Sequence, residues 1–356
     1  MYEAITIKDI AKALGLSTST VSRALRGSHE ISPETKKLVI EYAEKLNYRP
    51  NPIALSLKER RSRSIGVVVC EIANNFFSEA INGIESVAYN CGYHVIISQS
   101  HESYEREVVN VEHLASRSVD GLLVSLSAET SQVEHFKRLH DKGFPMVFFD
   151  RVTDEIATHK VVVDNYKGAY DATQHLVDAG YTKIAHLASS SHLSITVERL
   201  NGYIAALHDN NLPVNESYIR YCSHGGMNQA ETDQAVNDLI NLKDRPDAIF
   251  CAGDRLTMGC LSSLKEAALK IPENIALVGF TNSRLVELLE PGLTSVKQPA
   301  FEMGQVATEL LIKLIESKRP VTTFETAVLQ TEIFKRESSS NKMAVKKAHQ
   351  SKKQLS

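Results

Sequence analysis

The chain has 356 residues, 43% hydrophobic and 23% charged, with 17 Gly and 10 Pro, which excludes a single small domain, a wholly disordered chain and a collagen-like repeat. Its formal net charge of −3 conceals a segregation: residues 1–63 hold twelve Lys and Arg against seven acids (+5), residues 338–356 hold five Lys and no acid, and residues 64–337 hold 23 basic against 36 acidic residues (−13). A basic head on an acidic body fits a polyanion-binding module attached to a body that polyanions repel.

The first fifty residues show helical spacing broken by caps. Thr6, three before Asp9, opens a helix with Ile7, Ile10, Ala11 and Leu14 on one face, and Gly15 ends it. Ser17 caps a second helix, Thr18 to Leu25, whose Val21, Ala24 and Leu25 are apolar, and Gly27 stops it. Ser32-Pro33 starts a third, with Leu38, Val39, Tyr42, Ala43 and Leu46 as its buried stripe. Three short helices with a tight Gly turn after the first make a helix-turn-helix pattern. Asn47 to Pro52, with prolines at 50 and 52, is an extended connector, followed by the apolar segment Ile53 to Leu57 and the charged run Lys58 to Arg63.

From Ser64 short β-branched runs alternate with helix-length amphipathic segments. The predicted strands are Ile65–Cys70, His94–Ser98, Gly121–Ser125, Met146–Phe149, Lys160–Val163, Ile184–Leu187, Tyr218–Cys222, Ala248–Cys251, Ile275–Val278 and Leu293–Val296. Continuous apolar strands separated by helices imply parallel sheets buried on both faces. The βα rhythm repeats across Ser64–Asp164 and Asn165–Pro291, which predicts two similar subdomains with a ligand cleft at the carboxyl ends of their strands. Five widely spaced cysteines without a C-x-x-C pair read as reduced core thiols. The N-terminus has neither the apolar stretch nor the small-residue cleavage site of a secretory signal, and no run reaches the length that spans a bilayer, so the reading is cytoplasmic with no membrane partner.

The segment TIKDIAKALGLSTSTVSRALRG, the following ISPETKKLVIEYAEKLNYRPN, and then IGVVV, FFDR, RLNGY, PDAIFCAGD, ALVGF and LTSVKQP, in that order, resemble the LacI/GalR family of transcription regulators across residues 5 to about 335. The resemblance implies a multidomain chain: an all-α helix-turn-helix DNA-binding head at 1–50, a hinge helix and linker at 51–63, and an effector-binding and dimerisation core at 64–337. That core is expected to be α/β, two doubly wound parallel-sheet subdomains like a type I periplasmic binding protein, one spanning about 64–164 plus 295–325 and the other about 165–291 plus 326–337. Residues 338–356, without apolar periodicity, read as a disordered basic tail. The tail has no leucine heptads, so a homodimer is expected.

A recognition helix presents short polar groups and an Arg to the major groove, where base edges offer donors and acceptors. By the resemblance Thr18, Ser19 and Arg23 read bases, Ser17, Thr20 and Ser22 touch phosphate, and Leu57 wedges into the minor groove with Ala54 on the same helical face. Leu55 departs from the family, where Arg is common. Too short to hold a helix alone, the hinge is expected to order when two copies meet on operator DNA.

In the core, the resemblance places Phe76 or Phe77 against the effector and assigns contacts to Ser125, Asp150, Asp164, Arg199, Met227, Asp254, Thr281, Asn282 and Gln298. Three departures stand out: Gly253-Asp254 where Asn-Asp is frequent, Gly279-Phe280-Thr281-Asn282 where Gly-Phe-Asp-Asp is frequent, and Ile195 where Ser or Thr is frequent. A carboxylate that grips sugar hydroxyls is missing, which leaves the sugar-like effector open between an unusual saccharide, a sugar phosphate and no ligand at all. No nucleophile elbow, phosphate-binding loop or metal-ligand spacing is present, so no enzyme, cofactor or metal is expected. The alternative, a solute-binding protein of the periplasmic fold, predicts an export signal and no basic head.

Overall fold

The computed structural model describes residues 5–48, 61–116 and 119–342; the chain divides into two units, Met1–Ser62 and Arg63–Ser356. In the first unit α1 (Ile7–Leu14), α2 (Thr18–Leu25) and α3 (Pro33–Lys45) form where their caps predict. The Asp9 carboxylate accepts from the Thr6 N–H at 2.8 Å and from its hydroxyl at 2.7 Å, and Gly15 takes a φ of 64°, the left-handed turn that lets α2 follow α1 closely. Ser17 accepts from the Thr20 N–H at 3.1 Å and Ser32 from the Thr35 N–H at 3.2 Å. Ile10, Ala11, Val21, Ala24, Val39 and Ala43 make the small core. Leu38, expected in that stripe, is 49% exposed, because it lies one residue off the Val39, Tyr42, Ala43, Leu46 row that faces the other helices.

The second unit holds two lobes. The N-lobe sheet comprises β1 (Ser64–Val69), β2 (His94–Gln99), β3 (Gly121–Val124), β4 (Met146–Phe149), β5 (Lys160–Val163) and β11 (Thr326–Leu329), in the order β11-β5-β4-β3-β1-β2 with every pair parallel. Helices α4 (Asn75–Asn90) and α11 (Ala300–Glu316) cover one face, α5 (Tyr104–Ser116) and α6 (Glu134–His140) the other. The C-lobe sheet comprises β6 (Ile184–Ala188), β7 (Ile219–Tyr221), β8 (Ala248–Cys251), β9 (Ala276–Phe280), β10 (Thr294–Lys297) and β12 (Glu332–Phe334), in the order β12-β10-β9-β8-β6-β7, parallel except for β12 against β10. Helices α7 (Asn165–Asp178) and α8 (Ser194–Asp209) lie on one face, α9 (Gln229–Ile240) and α10 (Asp254–Glu266) on the other. The central strands β3, β4, β8 and β9 are buried throughout, which explains their unbroken apolar runs.

Helices α4 and α11 meet backbone to backbone. A Cβ added to Gly83 would lie 2.0 Å from the Phe301 carbonyl oxygen, and one on Gly304 2.0 Å from that of Ala80. Gly83→Ala is therefore expected to lower stability by about 1–3 kcal/mol, seen as an earlier denaturant midpoint with an unchanged slope; an unmoved midpoint would mean that the helices part without cost.

The structure corrects three expectations. Residues 295–297 belong to the C-lobe sheet as part of β10, while 326–329 form β11 at the N-lobe edge beside β5; the chain thus recrosses near Gln298 and Gln330, three to five residues later than the rhythm suggested. Strands β11 and β12 escaped prediction because they are short, half-exposed edges that follow the last long helix, outside the strand-helix alternation. The tail begins in order: Ser338 donates to the Leu277 carbonyl at 2.6 Å and accepts from the Thr294 N–H at 2.8 Å, and the Lys342 N–H reaches the Ala179 carbonyl at 2.9 Å. These backbone partners, not apolar burial, hold 338–342, while residues 343–356 lie outside the described residues. Of the five free cysteines, Cys91 is exposed and the other four are buried. Among the described residues no helix is long and apolar enough to cross a membrane.

Candidate DNA-reading helix and effector cleft

On α2 the residues expected to meet DNA divide by exposure. Ser17, Thr18, Ser19 and Arg23 are exposed, Thr20 and Ser22 half-buried, and Val21 and Ala24 turn into the core. The Ser17 hydroxyl lies 2.7 Å from that of Ser19 and 2.8 Å from that of Thr20, so the first turn presents a compact patch of hydroxyls. Arg23 Nη1 sits 2.8 Å from Glu30 Oε2 with its side chain 48% exposed, while Arg26 folds back on Ser22, donating to its carbonyl and its hydroxyl at 3.1 Å each. Of the two arginines, Arg23 is therefore the one free to swing toward a groove, at the cost of a weak surface pair. Ala54 and Leu57 lie outside the described residues.

The loops at the carboxyl ends of both sheets enclose a cavity of about 60 Å³, room for a few waters at about 10–15 Å³ each. The N-lobe contributes Cys70, Glu71, Phe76, Phe77, Glu102, Asp150 and Arg151; the C-lobe contributes Ser189, Ile195, Arg199, Met227, Asp254 and Arg255, with Gln298 at the crossover. Seven expected residues thus come together here: Phe76, Phe77, Asp150, Arg199, Met227, Asp254 and Gln298. Both phenylalanines line the cavity and meet edge to face at 5.2 Å.

Four expected residues are placed otherwise. Ser125 is fully buried at the end of β3; Asp164 caps α7, accepting from the Lys167 N–H at 2.8 Å; the Thr281 hydroxyl donates to Asp254; and the Asn282 amide donates to the Gln298 carbonyl and to Glu79, each at 2.8 Å. Each sits near a strand end; the side chains of Asp164, Thr281 and Asn282 are spent on the scaffold, while the buried Ser125 hydroxyl has no hydrogen-bond partner among the described residues.

Arg199 is held rigidly. Its Nε donates to Asn165 Oδ1 at 2.9 Å, its Nη1 to the Ala252 carbonyl at 2.8 Å, and its guanidinium carbon lies 3.8 Å from the centre of the Phe280 ring. Burial pulls its pKa down to about 10, with Asp150 opposing, so it stays charged at neutral pH. Asp150 ends β4 with a φ of 59°, a left-handed conformation that aspartate tolerates better than most. Burial raises its carboxyl pKa against the nearby charges of Arg151 and Arg199.

Sequence reasoning missed the most heavily bonded pair in the cleft. Arg151 grips Glu102 through Nη1–Oε2 at 2.6 Å and Nη2–Oε1 at 3.0 Å; Glu102 also accepts from the Ala128 N–H at 2.8 Å, and Arg151 Nη1 reaches Cys70 Sγ at 3.2 Å. Burial works to raise the Glu102 pKa, yet Arg151 and these hydrogen bonds hold it below the ordinary carboxylate value. The one sequence signal was Arg151 directly after Asp150, since Glu102 lies on a loop with no motif. Three lining atoms, Gln298 Nε2, Ser189 Oγ and Arg151 Nε, are buried without a hydrogen-bond partner among the described residues.

A helix-turn-helix head on a two-lobed core with a polar cleft at its strand ends defines a ligand-responsive DNA-binding regulator. Residues 6–51 match "Bacterial regulatory proteins, lacI family" and residues 173–339 match "Periplasmic binding protein-like domain". The HTH-type transcriptional repressor PurR of Vibrio campbellii is 34% identical over 313 residues, 88% of this chain and 92% of that protein, and Catabolite control protein A of Priestia megaterium is 31% identical over 327 residues, 92% and 96%. The solved transcriptional regulator CelR–cellobiose complex is 29% identical and superposes with a TM-score of 0.69 over 94% of this chain and 99% of that one. The chain belongs to the LacI family and is a DNA-binding transcriptional regulator, neither an enzyme nor a free-standing solute-binding protein.

Proposed function

We propose that the protein is a cytoplasmic homodimeric repressor that reads a near-palindromic operator with α2, Thr18, Ser19 and Arg23 facing bases and Ser17, Thr20 and Ser22 facing phosphates, while Ala54 and Leu57 enter the minor groove. Its effector is a small hydroxylated molecule, a sugar or sugar derivative, bound between the lobes by Arg199, Asp150 and Gln298 with Phe76 and Phe77 as the apolar wall. The observation that carries the ligand assignment is the set of three buried donors without partners, since such groups are costly unless a ligand oxygen or a water satisfies them. The cellobiose complex of a relative supports the chemical class.

Fluorescence anisotropy with the protein's own upstream region, repeated with a sugar panel, tests the reading. Arg23→Ala is expected to cost about 1–3 kcal/mol of operator affinity and to relax preference at one base pair. An equal loss on random DNA would place Arg23 on phosphate instead.

A further inference from the structure

We propose that the two lobes are held closed by a latch of protein groups that works without effector: Glu71, Asn75 and Glu79 of the N-lobe against Asp254, Arg255 and Asn282 of the C-lobe. The proposal takes the effector-cleft reading as its setting, but the latch itself involves neither DNA nor effector.

Three contacts cross the cleft from one short stretch of the N-lobe. Arg255 engages both carboxylate oxygens of Glu71 through Nε and Nη2, a planar two-point match that a lysine could not make. The Asp254 carboxylate faces the Asn75 N–H at the start of α4, an interaction across the cleft that favours its ionised form against burial. Asn282, 3% exposed, donates from Nδ2 to Glu79 Oε2 at 2.8 Å and to the Gln298 carbonyl at 2.8 Å, and accepts from the Gln298 N–H at 3.0 Å. It therefore pins the segment where the chain recrosses and reaches the opposite lobe with the same amide.

The departures from the family pattern acquire a physical meaning here. An aspartate at position 282 would face Glu79 charge to charge, whereas the amide donates to it. An aspartate at position 281 would oppose Asp254, whereas the Thr281 hydroxyl donates to that carboxylate. The two side chains that would otherwise project acidic groups near the cavity are instead donors: Asn282 reaches Glu79 across the cleft, while Thr281 stays within the C-lobe and holds the Asp254 carboxylate. A regulator latched in this way populates the closed arrangement before any effector arrives, and the effector acts by changing the balance between closed and open forms.

Double electron–electron resonance on the full chain tests this. Spin labels at Glu105→Cys on α5 and Ala230→Cys on α9, both exposed at the cleft rim on opposite lobes, in a Cys91→Ser background and diluted with unlabelled protein, report the lobe separation without effector. The wild type is expected to give one short, narrow distance. Asn282→Asp and Arg255→Glu should each lower the closed-to-open ratio about tenfold or more, and Glu71→Arg combined with Arg255→Glu should restore it. The charge swap keeps the test decisive if a single variant melts early. A broad or long distance in the wild type, or no shift in Asn282→Asp, or no rescue by the swap, would overturn the latch. No operator or effector is present, so the result is independent of the function proposed above.

Discussion

Arg151→Met is expected to destabilise the core by about 3–5 kcal/mol, the cost of leaving a buried charge without its partner. Glu102 and Arg151 side chains are only 8% and 11% exposed, so water cannot replace the guanidinium, and the Ala128 N–H alone remains to satisfy Glu102. The pair's net worth is smaller than this cost, because both ions were desolvated to form it. Glu102→Leu combined with Arg151→Met should therefore recover a large part of the loss, which urea midpoints of the three variants would show. The sign of the pH dependence gives an independent check. In the wild type the Glu102 pKa is held below its unfolded value, so the pair's contribution is present above that unfolded value and lost as pH falls through the folded one. Without Arg151 the burial penalty is unopposed, the folded pKa rises, and the variant's deficit should shrink on acidification. A deficit that stays constant with pH would mean that Arg151 stabilises by packing alone.

The second large effect is acid lability centred on His186. This imidazole is fully buried on β6, stacked on Tyr203 at 4.9 Å and tilted against Phe250 at 5.2 Å, with neither ring nitrogen hydrogen-bonded. Burial, assisted by the charge of Arg199, lowers its pKa to about 3, against about 6.5 in an unfolded chain. Between those values the unfolded chain binds a proton that the folded one refuses, so stability falls as pH drops from about 6.5 toward 3. The loss reaches about 2–3 kcal/mol at pH 4.5 and about 4 kcal/mol by pH 3.5. His186→Phe keeps the aromatic contacts and removes the titration, so the stability difference between it and the wild type should open by about 2–3 kcal/mol in the variant's favour between pH 7 and 4.5. Parallel pH curves would mean that the ring is protonated in place by a relaxation of the core.

These effects lie where the sequence was least legible. The head could be read almost residue by residue, since Thr6, Gly15, Ser17 and Ser32 act on neighbours within four positions and Val21, Ala24, Val39 and Ala43 repeat at helical spacing. All ten predicted core strands formed; the central ones are unbroken apolar runs because a parallel strand there is buried on both faces, while β2 and β7 are half-exposed edges that the βα rhythm marks. Strands β11 and β12 follow the last long helix, outside the βα alternation that marked the other edges.

The cleft was legible only in part. Asp150, Arg199 and Gln298 stand where a strand end or a motif marks them, and they do line it. Glu102 and Glu71 carry no local mark, and Arg151 only its place after Asp150; the acids' partners are Arg151, 49 positions on from Glu102, and Arg255, 184 positions on from Glu71. Thr281 and Asn282 show the converse: correctly placed at a strand end, yet turned to the scaffold by Asp254, Glu79 and Gln298.

What could be settled from residue order alone was therefore whatever depends on short-range periodicity, capping and charge: a basic helix-turn-helix head, two βα lobes, and the family they belong to. Which acid meets which arginine, where the chain changes lobes, and how the lobes are joined awaited the folded chain, because a carboxylate's state and role are set by groups that only folding brings within hydrogen-bonding distance.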